Sequence, residues 1–126
     1  MRRILITAGE VRATALLNDS ATADAIWAAL PLSARGNTWG DEIYFGIPVR
    51  LDEEDPREVV DLGDLGYWPP GHAFCIFFGP TPASLGNEIR PASEVNVFGH
   101  VEGDATVFCQ VPDGARVTLE RVTESQ

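Results

Sequence analysis

The sequence predicts a mainly β protein: a single domain over residues 1–126, folded as a closed antiparallel β-barrel with one principal α-helix. Three observations lead to this fold class. Strand-like apolar runs recur between turn residues, one segment alone carries a helical spacing of apolar residues, and 126 residues suffice for one compact core. No linker, internal repeat or low-complexity segment divides the chain.

The first two strands and the helix are predicted before residue 31. The runs RILIT and VRATALL flank AGE, whose Gly9 suits the positive φ of a tight turn, so they predict a hairpin. Cap candidates at residues 18–20 then precede apolar residues at i, i+3, i+4 and i+7, and Pro31 ends the pattern. The apolar face comprises Ala23, Ile26, Trp27 and Leu30. We expect Trp27 to fill part of the core.

Seven more strand-like runs follow the helix. They are LSARGNTW, EIYFGIPV, VVDLGDLGYW, AFCIFF, VNVFGHV, ATVFCQV and ARVTLERV. Pro70-Gly71 suits a type II turn and Asp113-Gly114 a two-residue hairpin, which predicts an antiparallel meander at the C-terminal end. About nine strands with one helix favour a closed barrel over a sandwich, because closure removes exposed strand edges. The helix is expected to cover one open end.

Charge and composition argue against several function classes. With 19 acidic and 9 basic residues, the formal net charge is −10, which repels the phosphates of nucleic acid. No apolar run approaches the roughly 18 residues of a membrane span, and the run after Arg3 is too short for a signal peptide. We expect a cytoplasmic protein that binds neither nucleic acid nor membrane. Cys75 and Cys109 lie in apolar runs and are expected to be buried thiols.

The sequence contains no strong motif for catalysis or metal binding. There is no phosphate-binding glycine loop, CxxC pair, HExxH or nucleophile elbow, so no catalytic residue and no cofactor is predicted. His72 and His100 stand without neighbouring cysteines, and the acidic run 52–55 lacks the ligand spacing of an EF-hand loop. We therefore predict no metal site and interpret the acidic run as a solvated loop.

Aromatic residues and carboxylates are dense in two segments, TWGDEIYFGIP and LGYWPPGHAFCIFFGPTP. An aromatic wall beside a carboxylate is a common way for a pocket to orient a ligand. The predicted ligand-binding residues are Trp39, Asp41, Glu42, Tyr44, Tyr67, Trp68 and Phe78. A structural interpretation stays open, in which Asp41 caps a turn, Tyr44 packs with its hydroxyl at the rim and Glu42 lies on the surface.

The strand that begins at residue 73 is apolar at every position through residue 78. Alternation predicts two sets of side chains on opposite faces, namely Phe74, Ile76 and Phe78 on one and Ala73, Cys75 and Phe77 on the other. In a barrel one set fills the core, so the other needs a covering loop or a hydrophobic groove. The segment 79–84, which follows directly, is a candidate flap.

The order of these elements resembles the cyclophilin fold, and more closely the small bacterial and archaeal cyclophilin-like proteins of unknown function. The resemblance covers about residues 3–120. It rests on NTWGDEIYFGIP together with GYWPPG, and on the late run VNVFGHVEGD, which looks like the Val-Phe-Gly strand of cyclophilins. It implies a barrel with a binding groove on its outer side.

The catalytic positions of cyclophilins are not matched. Cyclophilins carry an Arg just before an Ile-Pro pair, whereas this sequence has IYFGIP there, and its nearest Arg is Arg50. Their Gln before a Phe-Phe pair and their His before the Val-Phe-Gly strand correspond to Cys75-Ile76 and Val95. Prolyl isomerisation relies on that Arg to stabilise the twisted peptide electrostatically, so we expect weak activity at most.

These observations leave three functions open. The first is a binding module whose outer groove, with an aromatic and acidic wall and Phe78 as its floor, takes a small molecule or an extended peptide. The second is a weak peptidyl-prolyl isomerase. The third is a non-catalytic partner domain of an amidohydrolase-type enzyme, because such domains also resemble parts of the allophanate-hydrolase and oxoprolinase subunits. A homodimer or a protein partner is compatible with each.

Overall fold

The computed structural model describes residues 2–122, and this part of the chain contains nine β-strands, one α-helix and two 3₁₀ helices. The strands are β1 (Arg3–Ala8), β2 (Val11–Leu17), β3 (Leu32–Arg35), β4 (Asn37–Thr38), β5 (Glu42–Gly46), β6 (Asp64–Trp68), β7 (Ala73–Phe77), β8 (Asn96–Val101) and β9 (Arg116–Val122). The helix α1 spans Ala21–Ala29, and the 3₁₀ helices span Pro69–Gly71 and Ala105–Gln110. Of the predicted 1–126 domain, Met1 and residues 123–126 lie outside the described range.

The nine strands of the described chain join one antiparallel sheet that curls into a nearly closed barrel. The strand order is β3-β9-β1-β2-β8-β6-β7-β5-β4. β3 and β4 end this order, yet Gly36 alone separates them in sequence, so the two edges of the sheet lie side by side. A Cβ on Gly36 would meet Ile43 Cγ2 at 3.0 Å and Val117 Cγ2 at 3.1 Å, so any larger residue at this closure would have to displace these two side chains. The predicted fold class is confirmed.

The helix α1 lies where the sequence predicts it, and its tryptophan packs at the edge of the core. The Ser20 hydroxyl accepts a hydrogen bond from the Ala23 N–H at 3.0 Å and caps the helix. Ile26 takes the centre of the buried stripe, while Trp27 is half-buried, with the Arg121 guanidinium 5.1 Å above its ring. Trp27 thus packs against the core as expected, but from its edge, with one face of the ring in contact with Arg121. Within residues 2–122, no helix has the length and apolar character that a membrane crossing requires.

The acidic loop 52–55 is tied to the start of α1, which corrects its interpretation as a wholly solvated loop. Glu54 accepts hydrogen bonds from the Thr22 hydroxyl (2.7 Å) and from the backbone N–H groups of Thr22 (2.8 Å) and Ala21 (3.0 Å). These bonds, the one from the Thr22 hydroxyl first, lower the pKa of Glu54 because they stabilise its carboxylate. Buried Asn96 holds the same loop, since its Oδ1 accepts from the Glu54 N–H at 2.8 Å.

The predicted strand ATVFCQV is instead the 3₁₀ helix Ala105–Gln110. Its start is capped by Asp104, whose carboxylate accepts from the Thr106 N–H at 3.0 Å. Its buried residues Ala105, Phe108 and the following Val111 recur every three positions, and three residues per turn is the period of a 3₁₀ helix. The alternation that a strand requires is absent from this segment.

That 3₁₀ helix removes the predicted C-terminal meander. β9 forms no hairpin with a preceding strand but pairs with β1 and β3. The predicted hairpin at Asp113-Gly114 is therefore a turn that follows the 3₁₀ helix, although Gly114 does take the expected positive φ of 86°. Cys109 is exposed on the helix, which contradicts its expected burial, whereas Cys75 is buried as expected.

The connection between β6 and β7 also differs from the predicted type II turn. Pro69–Gly71 form a 3₁₀ helix, and the next residue, His72, takes the left-handed conformation at φ 48°. Two consecutive prolines hold φ at about −65°, which a 3₁₀ helix accepts. The positive φ therefore falls one residue later than predicted.

β7 is buried on both faces, as its composition predicts. The inner core of the barrel contains Phe74, Ile76 and Phe78, whereas Ala73, Cys75 and Phe77 belong to a second apolar cluster, here called the outer cluster. The outer cluster is completed by Val60, Ile89 and Val95. Residues around 60 and 89–95 thus cover the outer face, in place of the candidate flap 79–84.

Candidate ligand pocket

A pocket of about 250 Å³ lies beside the outer cluster, on the outer face of β5, β6 and β7. Eight residues line it: Trp39, Glu42, Tyr44, Trp68, Cys75, Pro91, Ala92 and Val95. Most of these side chains are apolar or aromatic, and the carboxyl of Glu42 is the one acidic group among them. Small-molecule sites commonly combine an apolar lining with a few convergent polar groups.

The register of the strands places the polar side chains of the pocket together. β5 pairs with β7 so that Tyr44 lies opposite Cys75 and Glu42 opposite Phe77. Because successive side chains of a strand alternate, Glu42 and Tyr44 share the outer face, while Ile43 and Phe45 enter the inner core. Glu42 and Tyr44 are two residues apart on β5, so the carboxyl and the phenol lie next to each other on the same face.

Trp68 forms a fixed wall of the pocket. Its indole Nε1 donates a hydrogen bond to the Ser93 hydroxyl at 2.6 Å, which ties β6 to the segment that covers the outer face. On the other side, a Cβ on Gly71 would lie 2.7 Å from Trp68 Cζ3, so the ring rests against the glycine backbone. The indole is held in one orientation before any ligand arrives.

Glu42 is the group whose environment departs most from that of an ordinary carboxylate. Glu42 is only 5% exposed, and its Oε1 accepts no hydrogen bond from any residue between 2 and 122. Burial raises the pKa of Glu42 to about 7, and the neighbouring Cys75 thiol offsets part of this rise. Burial, with the adjacent Glu42 second, also raises the pKa of Cys75 well above its usual range. Cys75 therefore stays a thiol.

The structure brings four of the seven predicted ligand-binding residues together, namely Trp39, Glu42, Tyr44 and Trp68. Tyr67 and Phe78 do not line the pocket, which corrects their predicted placement. Tyr67 lies in the inner core, where its hydroxyl donates to the Val49 carbonyl at 2.6 Å. Phe78 is also in the inner core, 6.1 Å from the ring of Phe108.

Asp41 likewise does not line the pocket and has the turn role that was its structural alternative. Its N–H donates to the Pro80 carbonyl at 3.0 Å, and its carbonyl accepts from the Phe78 N–H at 2.9 Å. Its carboxylate packs against Gly79, where a Cβ would meet Asp41 Oδ2 at 2.4 Å. Asp41 thus joins the end of β7 to the start of β5.

Four lining residues were missed: Cys75, Pro91, Ala92 and Val95. Cys75 carried a signal, because the alternation of β7 already placed it on the face opposite Phe74. Val95 contacts the outer cluster from a position just before β8. Pro91 and Ala92 belong to an irregular segment, and no local pattern indicates which surface such a segment covers.

The sequence matches a protein family described as Cyclophilin-like over residues 2–120. The chain belongs to this family. A similar solved structure is the solution structure of a hypothetical protein from Archaeoglobus fulgidus, which is 40% identical. Its TM-score is 0.82, and the match covers 96% of this chain and 95% of that chain. No protein of curated function matches the sequence.

The pocket of this cyclophilin-like protein contains no arginine or histidine among its lining residues. Arg50, the arginine that follows the Ile47-Pro48 pair, is exposed and does not line the pocket. The position that resembles the catalytic Gln is Cys75 or Ile76, and Ile76 points into the inner core. The chemical groups available to a ligand are one carboxyl, one phenol, one thiol and two indoles.

Proposed function

We propose that this cyclophilin-like domain binds a small molecule in the pocket between Trp39, Tyr44 and Trp68, with Glu42 as its polar anchor. The observation that carries the proposal is the buried Glu42 carboxyl, whose Oε1 has no hydrogen-bond partner within residues 2–122. Buried polar groups are satisfied in the great majority of cases, and an unsatisfied one costs about 1–3 kcal/mol of stability. A bound ligand would supply the missing partner.

The surroundings of Glu42 support a binding role over a purely structural one. A structural carboxyl is held by backbone N–H groups or a cation, as Glu54 is held by Ala21 and Thr22. Within residues 2–122, no backbone N–H or cation bonds the Glu42 Oε1, and the neighbouring Cys75 thiol is the one group whose hydrogen bond lowers the Glu42 pKa. A site that keeps a perturbed carboxyl beside fixed aromatic walls fits the general pattern of functional pockets.

The size of the pocket favours a small molecule over an extended peptide. A volume of about 250 Å³ corresponds to roughly eight water molecules at ~30 Å³ each. One substituted ring fills such a space, whereas a peptide would place only a single side chain in it. The isomerase alternative gains no support from the lining, because a cationic donor for a twisted peptide carbonyl is missing there.

Two free thiols are consistent with a reducing environment, and we propose a cytoplasmic location on this ground. The domain would act there as a binding module, either as a monomer or as a homo-oligomer. The alternative is a role as partner domain of an amidohydrolase-type enzyme. Co-purification with such a subunit would reveal it.

A fragment screen followed by amide and indole NMR tests the proposal. The chain has three tryptophans, of which Trp39 and Trp68 line the pocket, while Trp27 belongs to α1 and does not line it. We expect small aromatic fragments to shift the indole signals of Trp39 and Trp68 and to leave that of Trp27 unchanged. Glu42→Gln should weaken these shifts, and Glu120→Gln, an exposed change on β9, should not. Shifts spread evenly over the surface would overturn the proposal.

A further inference from the structure

We infer that the ligand is a small organic cation that keeps at least one N–H on its charged nitrogen, such as a protonated primary or secondary amine. This inference rests on the proposed function, because it names the ligand class of the same pocket. Three observations lead to it: the charge of the lining, the presence of three aromatic rings in it and the Glu42 Oε1 that has no hydrogen-bond partner within residues 2–122.

The lining of the pocket contains a carboxyl and no basic residue, a charge distribution that favours a cationic ligand. Glu42 is its only acidic residue, no arginine or histidine joins it, and the sequence contains no lysine at all. An anionic ligand would meet this carboxyl at close range as well as a formal net charge of −10 over the whole chain. A cation would meet an opposite charge that no group of the lining already neutralises.

The aromatic rings favour a cation for a second, independent reason. Trp39, Tyr44 and Trp68 all line the pocket, and the faces of such rings attract cations through their quadrupoles. The same chain shows this contact elsewhere, where the Arg121 guanidinium lies 5.1 Å from the centre of the Trp27 ring. At the pocket the rings are present, but the lining supplies no cation, so a ligand is left to provide it.

The need for an N–H follows from the unpartnered Oε1 of Glu42. A quaternary ammonium ion satisfies the charge and the rings but has no hydrogen to donate to a carboxyl. An ammonium ion with an N–H does all three, and hydrogen bonds between charged groups are among the strongest in proteins. The Cys75 thiol interacts with the Glu42 carboxyl, yet Oε1 still has no hydrogen-bond partner among residues 2–122.

A matched series of four probes with the same benzyl or phenyl body tests the inference. Benzylammonium, benzyltrimethylammonium, benzyl alcohol and benzoate are each titrated into the 15N-labelled protein at about pH 7.5, which lies above the Glu42 pKa of about 7 and so favours its carboxylate form. The indole signals of Trp39 and Trp68 report binding. We expect benzylammonium to bind at least about tenfold more tightly than each of the other three.

The variants separate the contribution of Glu42 from that of the pocket walls. In Glu42→Gln, the affinity for benzylammonium should fall to that for benzyl alcohol, whose affinity should change little. Glu120→Gln should leave the whole series as in the unmodified protein, because Glu120 is exposed on β9. The probe series on the unmodified protein needs no variant, so the inference stays testable even if Glu42→Gln folds poorly.

Each contrary result has a distinct meaning. If benzyl alcohol or benzoate binds at Trp39 and Trp68 as tightly as benzylammonium, the cation inference is wrong and the small-molecule pocket stands. If benzyltrimethylammonium matches benzylammonium, the N–H requirement is wrong. If none of the four probes shifts either indole, the cation inference is overturned, and the wider fragment screen decides the proposed function separately.

Discussion

The two faces of β7 offer a comparison within a single strand. On the inner face, the Phe74 ring stacks on Phe45 at 5.1 Å and meets the edge of Phe98 at 5.2 Å, inside a core cluster that contains no carboxyl group. On the outer face, Cys75 lies beside a pocket and beside the Glu42 carboxyl, whose Oε1 has no hydrogen-bond partner within residues 2–122. The inner face is closed by the barrel itself, whereas the outer face depends on irregular segments.

This difference shows how one strand serves both stability and binding. The nearly closed barrel covers most of its own interior, so the main contribution of the inner side chains is packing. The segment 89–95 covers the outer face only in part, and the remaining gap is the pocket. Function is therefore expected where coverage is incomplete, and stability where it is complete.

The largest expected effect concerns the inner face. Phe74→Ala should lower the free energy of unfolding by about 3–5 kcal/mol, because it leaves a cavity among fully buried rings. Tyr44→Ala on the outer face should cost only about 1 kcal/mol, since Tyr44 is half-buried beside an existing pocket. Urea denaturation measures both values. Equal losses would contradict the distinction between the two faces.

The next effect concerns the pH dependence of stability. In the folded state the pKa of Glu42 is about 7, against 4.5 for an unperturbed glutamate, so folding favours the protonated form. Stability is therefore lost as the pH rises through about 7, and this loss is on the order of 2 kcal/mol between pH 5 and pH 8. Glu42→Gln removes the titrating group.

Urea denaturation of both proteins at a series of pH values checks this sign. The unfolding free energy of the unmodified protein minus that of Glu42→Gln should decrease from pH 5 to pH 8. If this difference stays constant or increases with pH, burial does not destabilise the charged form of Glu42, and the prediction is wrong.

The smallest effect concerns the wall of the pocket. Ser93→Ala removes the acceptor of the Trp68 indole N–H and should cost about 1 kcal/mol of stability. Ser33→Ala is the matched control, since that hydroxyl accepts a hydrogen bond from the exposed Arg116, whereas Trp68 is half-buried, and the loss of the Ser33 hydroxyl should cost less than about 0.5 kcal/mol. Thermal or urea denaturation compares them. Similar losses for the two would mean that the Trp68 contact does not hold the wall.

Local patterns in the sequence predicted the parts of the fold that depend on local geometry. Strand alternation separated the two faces of β7, and the spacing of Ala23 and Ile26 with the Ser20 cap predicted α1. The segment at residues 105–110 failed because its apolar period of three was taken for a strand. A stricter count of the period would have predicted the 3₁₀ helix.

The candidate site was predicted only in part, for two physical reasons. Tyr67 and Trp68 are neighbours on β6 and must point to opposite faces, so both could not line one groove. Alternation shows that the two side chains lie on opposite faces, but it does not show which face is inside. That depends on the pairing of Tyr67 with Phe74 across the sheet. Pro91 and Ala92 reach the pocket through long-range contacts that no local pattern encodes.

The central claim is that Glu42 is a buried carboxyl that awaits a ligand, and its own titration tests this most directly. The 13C signal of the Glu42 side-chain carboxyl, assigned by its loss in Glu42→Gln, is followed against pH with and without saturating benzylammonium. The account predicts a pKa of about 7 in the free protein and a marked decrease when the amine is bound, because the cation stabilises the carboxylate. A pKa near 4.5 in the free protein that the amine leaves unchanged would contradict it.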